Sequence, residues 1–457
     1  MYFSILVKLF SLVLMTFFFT GCGNEKTLYF SAPNVLNNMS RAKNRPGFWV
    51  ANHPSPDRLI SDQRGIDRFN RHIMDDLKMV RDISFFPAEY DGVELRRELL
   101  DRFERIQERR LYLQDSSLAS HSFFEQIEKN MGLDTLPSIL PVTFGLTVGY
   151  VNQRRLPVTE PLYVQKRSSS FDKLQNNGLD IGIPLAILHE SVDGKWYYGI
   201  SSSSSGWVRV EDVGLCSRKT LSGFIHDPSF IVTTEAKSDI FFDESMSHYH
   251  DSVRMGSRFP LMNMRQNNIT EVAIPSRRQD GRLVLRSGYM HASRVHSGYL
   301  SYTARNIINQ AFALLHEPYG WGGMNGEQDC SRFIKEIFAT VGITMPRNSK
   351  GQAKIGRMIL EIDKNTSISR KVEVLQYSAV GGITLLFMPG HVMLFLGMVD
   401  EQPYVIHSTW GYRQKTFWGE GVRLLNRVVV SDLSLGRGSQ KGSLIDRLTF
   451  IGVVSPQ

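Results

Sequence analysis

Residues 319–352 read YGWGGMNGEQDCSRFIKEIFATVGITMPRNSKGQ, and the fold of the C-terminal region turns on how they are read. A glycine-rich loop leads into Asp329-Cys330-Ser331. After it, Phe333, Ile334, Ile337, Phe338 and Val341 recur at helical spacing, and Gly342 is a natural stop. Asp329 suits the N-cap, which puts Cys330 in the first helical turn. Unpaired N–H groups and the positive end of the helix dipole favour a thiolate there. Cys330 is thus a candidate nucleophile, and the plainer alternative is a small buried hydrophobe.

Two histidines follow. The stretch 384–397, TLLFMPGHVMLFLG, predicts a strand, a tight Met388-Pro389-Gly390 turn and a second strand beginning at His391. Tyr404 to Ser408 predicts a third strand, carrying His407. If these strands pack on the Cys330 helix, one imidazole can take the thiol proton and the other can orient the first. Strand histidines are also common as half-buried structural residues, so spacing alone leaves both roles open.

Taken together, these motifs resemble the NlpC-type papain-like peptidases that cut bacterial cell-wall peptides. The matching elements are Tyr-Gly-Trp-Gly-Gly at 319–323, Asp-Cys-Ser at 329–331, Met-Pro-Arg-Asn-Ser at 345–349 with Gln352, Pro-Gly-His-Val at 389–392 with Gly397, and Ile-His-Ser at 406–408. Their order along the chain is the family's order. The resemblance implies Cys330 as nucleophile, His391 as general base, His407 as the orienting residue and Tyr319 as part of the oxyanion site. It implies an α+β papain-like catalytic domain and thiol-dependent hydrolysis of peptidoglycan stem peptides between γ-D-glutamate and the diamino acid. Relatives with paired SH3-type barrels often carry an aspartate, suited to a free substrate amine, where this chain has Asn348. Either Asp329 or Glu327 then supplies the charge, or a free amine is not required. Asp329, Ser331, Arg347 and Asn348 are candidate substrate contacts, although Arg347 is as readily a structural ion-pair partner. Other papain-like amide chemistry or acyl transfer, and a catalytically dead wall-binding protein, are the competing classes.

The chain has 457 residues, enough for several cores, with 42% hydrophobic and 21% charged residues. Its net charge of +8 is diffuse, with no basic run interleaved with aromatics, so a nucleic-acid partner is not expected. A mildly basic surface suits an anionic wall polymer or lipid. No metal or other cofactor is called for, and a monomer is expected. Leu9 to Thr20 is almost wholly apolar, with Lys8 before it and Gly21-Cys22 after it, too short to span a bilayer comfortably. Phe19-Thr-Gly-Cys22 resembles a bacterial lipobox, with Phe19 where that motif usually has leucine. It implies lipidation of Cys22 and an exported, membrane-tethered envelope protein. With three cysteines in all, Cys216 remains as an inert thiol and a disulfide framework is excluded.

The expected organisation is a signal at 1–22, a helical stabilising region at 23–135, SH3-like barrels at 136–220 and 221–298, and the peptidase domain at 299–457. In fold class this is a multidomain chain with a mixed α N-terminal region, two small all-β barrels and an α+β catalytic domain. Helices are predicted over 66–83, 93–113 and 303–316, and an extended arm around Trp49 and Pro54 to Pro56. Strands are predicted over 155–163, 184–189, 195–200 and 206–210, with Asp193-Gly194 as a hairpin turn and Ser201 to Ser205 as a flexible link. Trp207 is a candidate substrate contact on the wall of the first barrel.

Overall fold

The computed structural model describes residues 28–455 apart from 32, 34, 265, 266 and 418; the apolar leader and Cys22 lie outside the described residues. Among those described, three seven-stranded sheets dominate, one in each β unit and one in the catalytic unit. The chain is multidomain, with mixed helix and sheet.

The Cys330 helix spans Cys330–Ala339, and the Asp329 side chain accepts from the N–H groups of Ser331 and Arg332. A cap of this kind contributes about 1 kcal/mol. Phe333, Ile334, Ile337 and Phe338 are fully buried, against Leu394 and Ile406 of the sheet. In that sheet the strands run in the order Leu28–Phe30, Gly419–Asp432, Gln402–Thr416, His391–Val399, Thr384–Met388, Phe450–Val453 and Arg357–Glu361. The hairpin at Pro389-Gly390 sets the register, with Met388 opposite His391, and Gly390 adopts φ 78° there. On the adjoining strand His407 pairs with Val429. A helix packed on a sheet that is antiparallel apart from its Leu28–Phe30 edge gives the α+β catalytic unit expected.

The first β unit joins Val213–Cys216, Thr143–Thr147, Pro184–Glu190, Trp196–Ile200, Ser205–Arg209, Val151–Arg154 and Gln175–Leu179. The predicted strand over 155–163 is instead a loop. Two prolines interrupt it, and the buried Arg154 guanidinium takes up its carbonyls at Val158, Thr159 and Glu160. Ser201 to Ser205 is a tight turn rather than a flexible link, closed by Ser201 N–H donating to Ser204 O at 2.8 Å. Trp207 is 0% exposed, in the core of this unit against Tyr198. It therefore touches no substrate, which corrects the expectation for that residue: its place on the strand points it inward.

Residues before 140 divide between two cores. Trp49, Ile66, Phe69 and Ile73 join the catalytic core, whereas Leu95, Leu99, Phe103 and Phe124 join the core shared by the two β units. The arm expected around Trp49 is a helix, Pro46–Asn52, with proline in its first turn. Its Trp49 packs against Tyr404 with ring centroids 5.4 Å apart. Farther on, the predicted helices over 66–83 and 93–113 shorten to Gln63–Arg71, followed by a wide turn at His72–Asp76, and to Gly92–Gln107. The expected 303–316 helix is Ala304–Ala313, capped by Thr303.

Candidate active site

The loop before Cys330 is fixed by backbone chemistry. Tyr319 bridges to Gln328, and Gly320 N–H donates to Gln328 O at 3.1 Å, which returns the chain to the helix start. Gly322 and Gly323 have φ 62° and 80°. A Cβ on Gly323 would sit 2.7 Å from Gly178 N of the first β unit, so the two backbones meet at a separation only glycine permits. Tyr150 donates to Gly323 O at 2.5 Å and Gln175 to Gly322 O at 3.2 Å.

At the helix start Cys330 is 8% exposed. Its thiol donates weakly toward Gly390 O at 3.9 Å and sits beside the N–H of Val392, which places it against the backbone on both sides of His391. His391 Nε2 and His407 Nδ1 are 2.7 Å apart, and His407 Nε2 lies 3.2 Å from Ser431 Oγ. For His391 Nδ1 to accept the thiol proton, its Nε2–H must donate to His407, and His407 Nε2–H to Ser431. The order Cys330, His391, His407 is thus the generalised triad order. Ser408 Oγ–H donates to Gln328 O at 3.0 Å and ties the His407 strand to the helix start.

Electrostatics depart from the expected thiolate. Burial first, and then the Asp329 carboxylate, push the Cys330 thiol up to about 12. Burial and the nearby Arg447 bring His391 down to about 4, and burial with His391 keeps His407 well below its ordinary value. Desolvation outweighs the helix dipole. Both shifts favour a neutral thiol and a neutral imidazole over the ion pair. Burial, Cys330 and Asp329 push the Tyr319 phenol above its ordinary value. It stays a donor, and its O–H has no hydrogen-bond partner among the described residues.

Asp329 is occupied. Arg347 holds its carboxylate with both terminal nitrogens, at 3.1 and 2.7 Å, and Arg347 also meets Ser331 Oγ at 2.9 Å and Asn177 Oδ1. Burial pushes the Asp329 carboxyl up, but Arg347, the Arg332 N–H and Ser331 hold it below its ordinary range. Asn348 caps the short helix Ser349–Gln352 by accepting from Gly351 N–H. Glu327 is turned away, to Lys237 at 2.6 Å and Arg254 at 3.3 Å. Asp329, Ser331, Arg347 and Asn348 all line the cleft over Cys330, as does Tyr319, whereas Trp207 and Glu327 do not. Arg102, Arg155, Gln175, Asn176 and Ser203 to Ser205 also line that cleft, of about 430 Å³. Sequence reading missed them. The serine run is the one local signal that could have marked them.

A thiol at a helix start, set against the backbone on both sides of a strand histidine that is hydrogen-bonded to a second one, is the arrangement of the papain-like class of cysteine site. Within that class, residues 316–420 match the model of the NlpC/P60 family, and residues 159–209 match an SH3 domain of the SH3b1 type; the chain carries an NlpC/P60 domain and an SH3b domain. Among curated proteins it is similar to two named gamma-D-glutamyl-L-lysine dipeptidyl-peptidase. The Bacillus subtilis protein is 43% identical over 56 residues, 12% of this chain and 19% of the relative. The Bacillus cereus protein is 27% identical over 128 residues, 28% of this chain and 37% of the relative. The chain thus spans well under half the length of either. Among solved structures, an NlpC/P60 endopeptidase from Photobacterium damselae subsp. piscicida covers 94% of this chain and is itself wholly covered, with a TM-score of 0.75 at 19% identity. The fold is shared along nearly the whole chain.

Proposed function

We propose that this protein is a cysteine-type endopeptidase of peptidoglycan stem peptides, cutting the amide between γ-D-glutamate and the diamino acid. The observation that carries the reading is Cys330 lining a cleft with the unpartnered Tyr319 hydroxyl, against the turn and strand that bear His391, itself hydrogen-bonded to His407. His391 takes the thiol proton as sulfur attacks the scissile carbonyl. The backbone N–H of Cys330 and the Tyr319 hydroxyl receive the developing oxyanion, and His391 returns the proton to the leaving amine. Water then attacks the thioester, with His391 again as base, and frees the acid. The printed names of the two Bacillus relatives favour a γ-glutamyl bond to a diamino acid.

The leader at 9–20 with Gly21-Cys22 supports export and lipidation of Cys22, which would hold the protein at an envelope membrane, in reach of the wall. A monomer is the proposed state, since the cleft residues named above all come from one chain. Two experiments test the reading. Incubation with free and disaccharide-linked muropeptides, followed by mass spectrometry, should show γ-D-glutamyl-diamino acid cleavage that Cys330→Ala abolishes in a protein of unchanged circular dichroism. Cleavage at wild-type rate by Cys330→Ala would end the proposal. For the anchor, intact mass of the membrane fraction should show acyl groups on Cys22, and an unprocessed N-terminus would contradict it.

A further inference from the structure

The cleft's charge is the reverse of what an ammonium ligand needs. Among the described lining residues Asp329 is the sole acid, and Arg347 neutralises it. On the opposite wall, contributed by the first β unit and the helix Gly92–Gln107, stand Arg155 and Arg102. Arg102 donates to the carbonyl and hydroxyl of Ser205, at 3.3 and 3.2 Å, which fixes its guanidinium and leaves further N–H groups. Arg155 is half-buried, and its guanidinium makes no hydrogen bond or ion pair among the described residues. Arg109 and Lys173 add to the same field. The acid in that field, Asp172, is buried and bound to Arg154, so it offsets Arg155 and Lys173 only in part and pairs with neither. A half-buried guanidinium without a counter-ion, grouped with other cations, is costly unless a ligand supplies the anion.

We propose that Arg155, with Arg102 beside it, forms a carboxylate-binding subsite that selects peptides by a negative charge. It rests on the peptidase reading and deepens it. A γ-linked glutamyl residue keeps its α-carboxylate free next to the scissile amide, and some diamino acids carry a second carboxylate. Both offer the planar oxyanion that a guanidinium pairs with in two parallel bonds.

The test separates binding from cleavage. Cys330→Ala protein is titrated calorimetrically with L-Ala-γ-D-Glu-diaminopimelate, with the same peptide amidated at the glutamyl α-carboxylate, and with one in which lysine replaces diaminopimelate. The intact peptide should bind roughly 10- to 100-fold tighter than whichever form lacks the recognised carboxylate, and that form identifies its source. Adding Arg155→Gln should erase the difference, and Arg155→Lys should restore part of it. Equal binding of all three peptides, no binding of any, or an Arg155→Gln loss that is the same for every peptide would overturn the subsite. Wild-type protein that shows this preference yet hydrolyses none of the peptides would refute the peptidase reading and leave the subsite standing.

Discussion

The two β units grip the same helix in different ways. From the first, Gly178 O and Asp180 receive Arg332 at 3.0 and 2.6 Å, and its strands and turns place Arg155, Gln175 and Ser205 on the cleft. From the second, the 2%-exposed Arg254 reaches Glu336 at 3.2 Å, Glu327 at 3.3 Å and Glu317 at 3.5 Å, and among the described residues none of this unit lines the cleft. Glu336 joins the two systems by also holding Arg332 at 2.6 Å. Glu317 and Glu327 bracket the loop that carries Tyr319. One unit therefore supplies part of the cleft's lining, and the other a buried ionic clamp on the loop and helix that bear Tyr319 and Cys330. Similar all-β architecture sets no common role; which side chains face the peptidase unit does.

Substitutions can break that division. The largest effect is expected from Arg254→Met, which leaves Glu336 to Arg332 alone and Glu327 to Lys237 alone, and takes from Glu317 its one ion-pair partner among the described residues. It should cost about 3–5 kcal/mol of stability, seen as a lower denaturation midpoint. By loosening the Tyr319 loop it should lower kcat by up to about a hundredfold. Arg155→Gln should do the converse, raising KM for carboxylate-bearing peptides with the midpoint unchanged. A large midpoint loss in Arg155→Gln, or an unaltered midpoint in Arg254→Met, would erase the contrast. The smallest effect is expected from Trp207→Phe. It removes a buried indole N–H that has no partner but leaves a small void, a change of about 1–2 kcal/mol with KM unmoved. A KM shift in Trp207→Phe would return the first unit's core tryptophan to the substrate path.

The pH profile sharpens the same account from the catalytic side. His391 is depressed to about 4, so the base stays neutral down to that value, and kcat/KM should hold flat through neutrality and fall only as pH drops through about 4. Stability carries the matching sign. An unfolded His391 takes up a proton near 6.5 that the folded one refuses, so the contribution is full above that value and lost as pH falls toward 4. Rates measured at matched folded fraction would separate the two. An acid limb near 6.5 in the rate would mean that burial does not depress His391 in the working enzyme.

What was legible in the sequence was local. Asp329 as cap, the apolar face through Phe338 and the Pro389-Gly390 hairpin each depend on a few adjacent residues, and each forms as read. The readings that failed depend on distant partners. Trp49 sits in a helix because it reaches Tyr404, more than three hundred positions later. The alternation over 155–163 mimics a strand, yet the Arg154 guanidinium takes up its carbonyls. Arg102 and Arg155 reach the cleft only through the docking of Gly178 on Gly323, which no spacing announces. The thiolate expectation is opposed for a related reason: the helix N-terminus is written locally, whereas the desolvation that pushes the thiol up comes from the assembled fold.

The central claim is that Cys330 is the nucleophile toward a γ-D-glutamyl amide. The most direct measurement is labelling of the whole protein by an L-Ala-γ-D-Glu peptide ending in a thiol-reactive electrophile, mapped by mass spectrometry. The account predicts one adduct, on Cys330, suppressed by His391→Ala and competed by the stem peptide. Cys216, its thiol pushed up to about 11 by burial, should stay unmodified. An adduct on Cys216 with none on Cys330, or labelling of Cys330 indifferent to both His391 and the peptide, would contradict it.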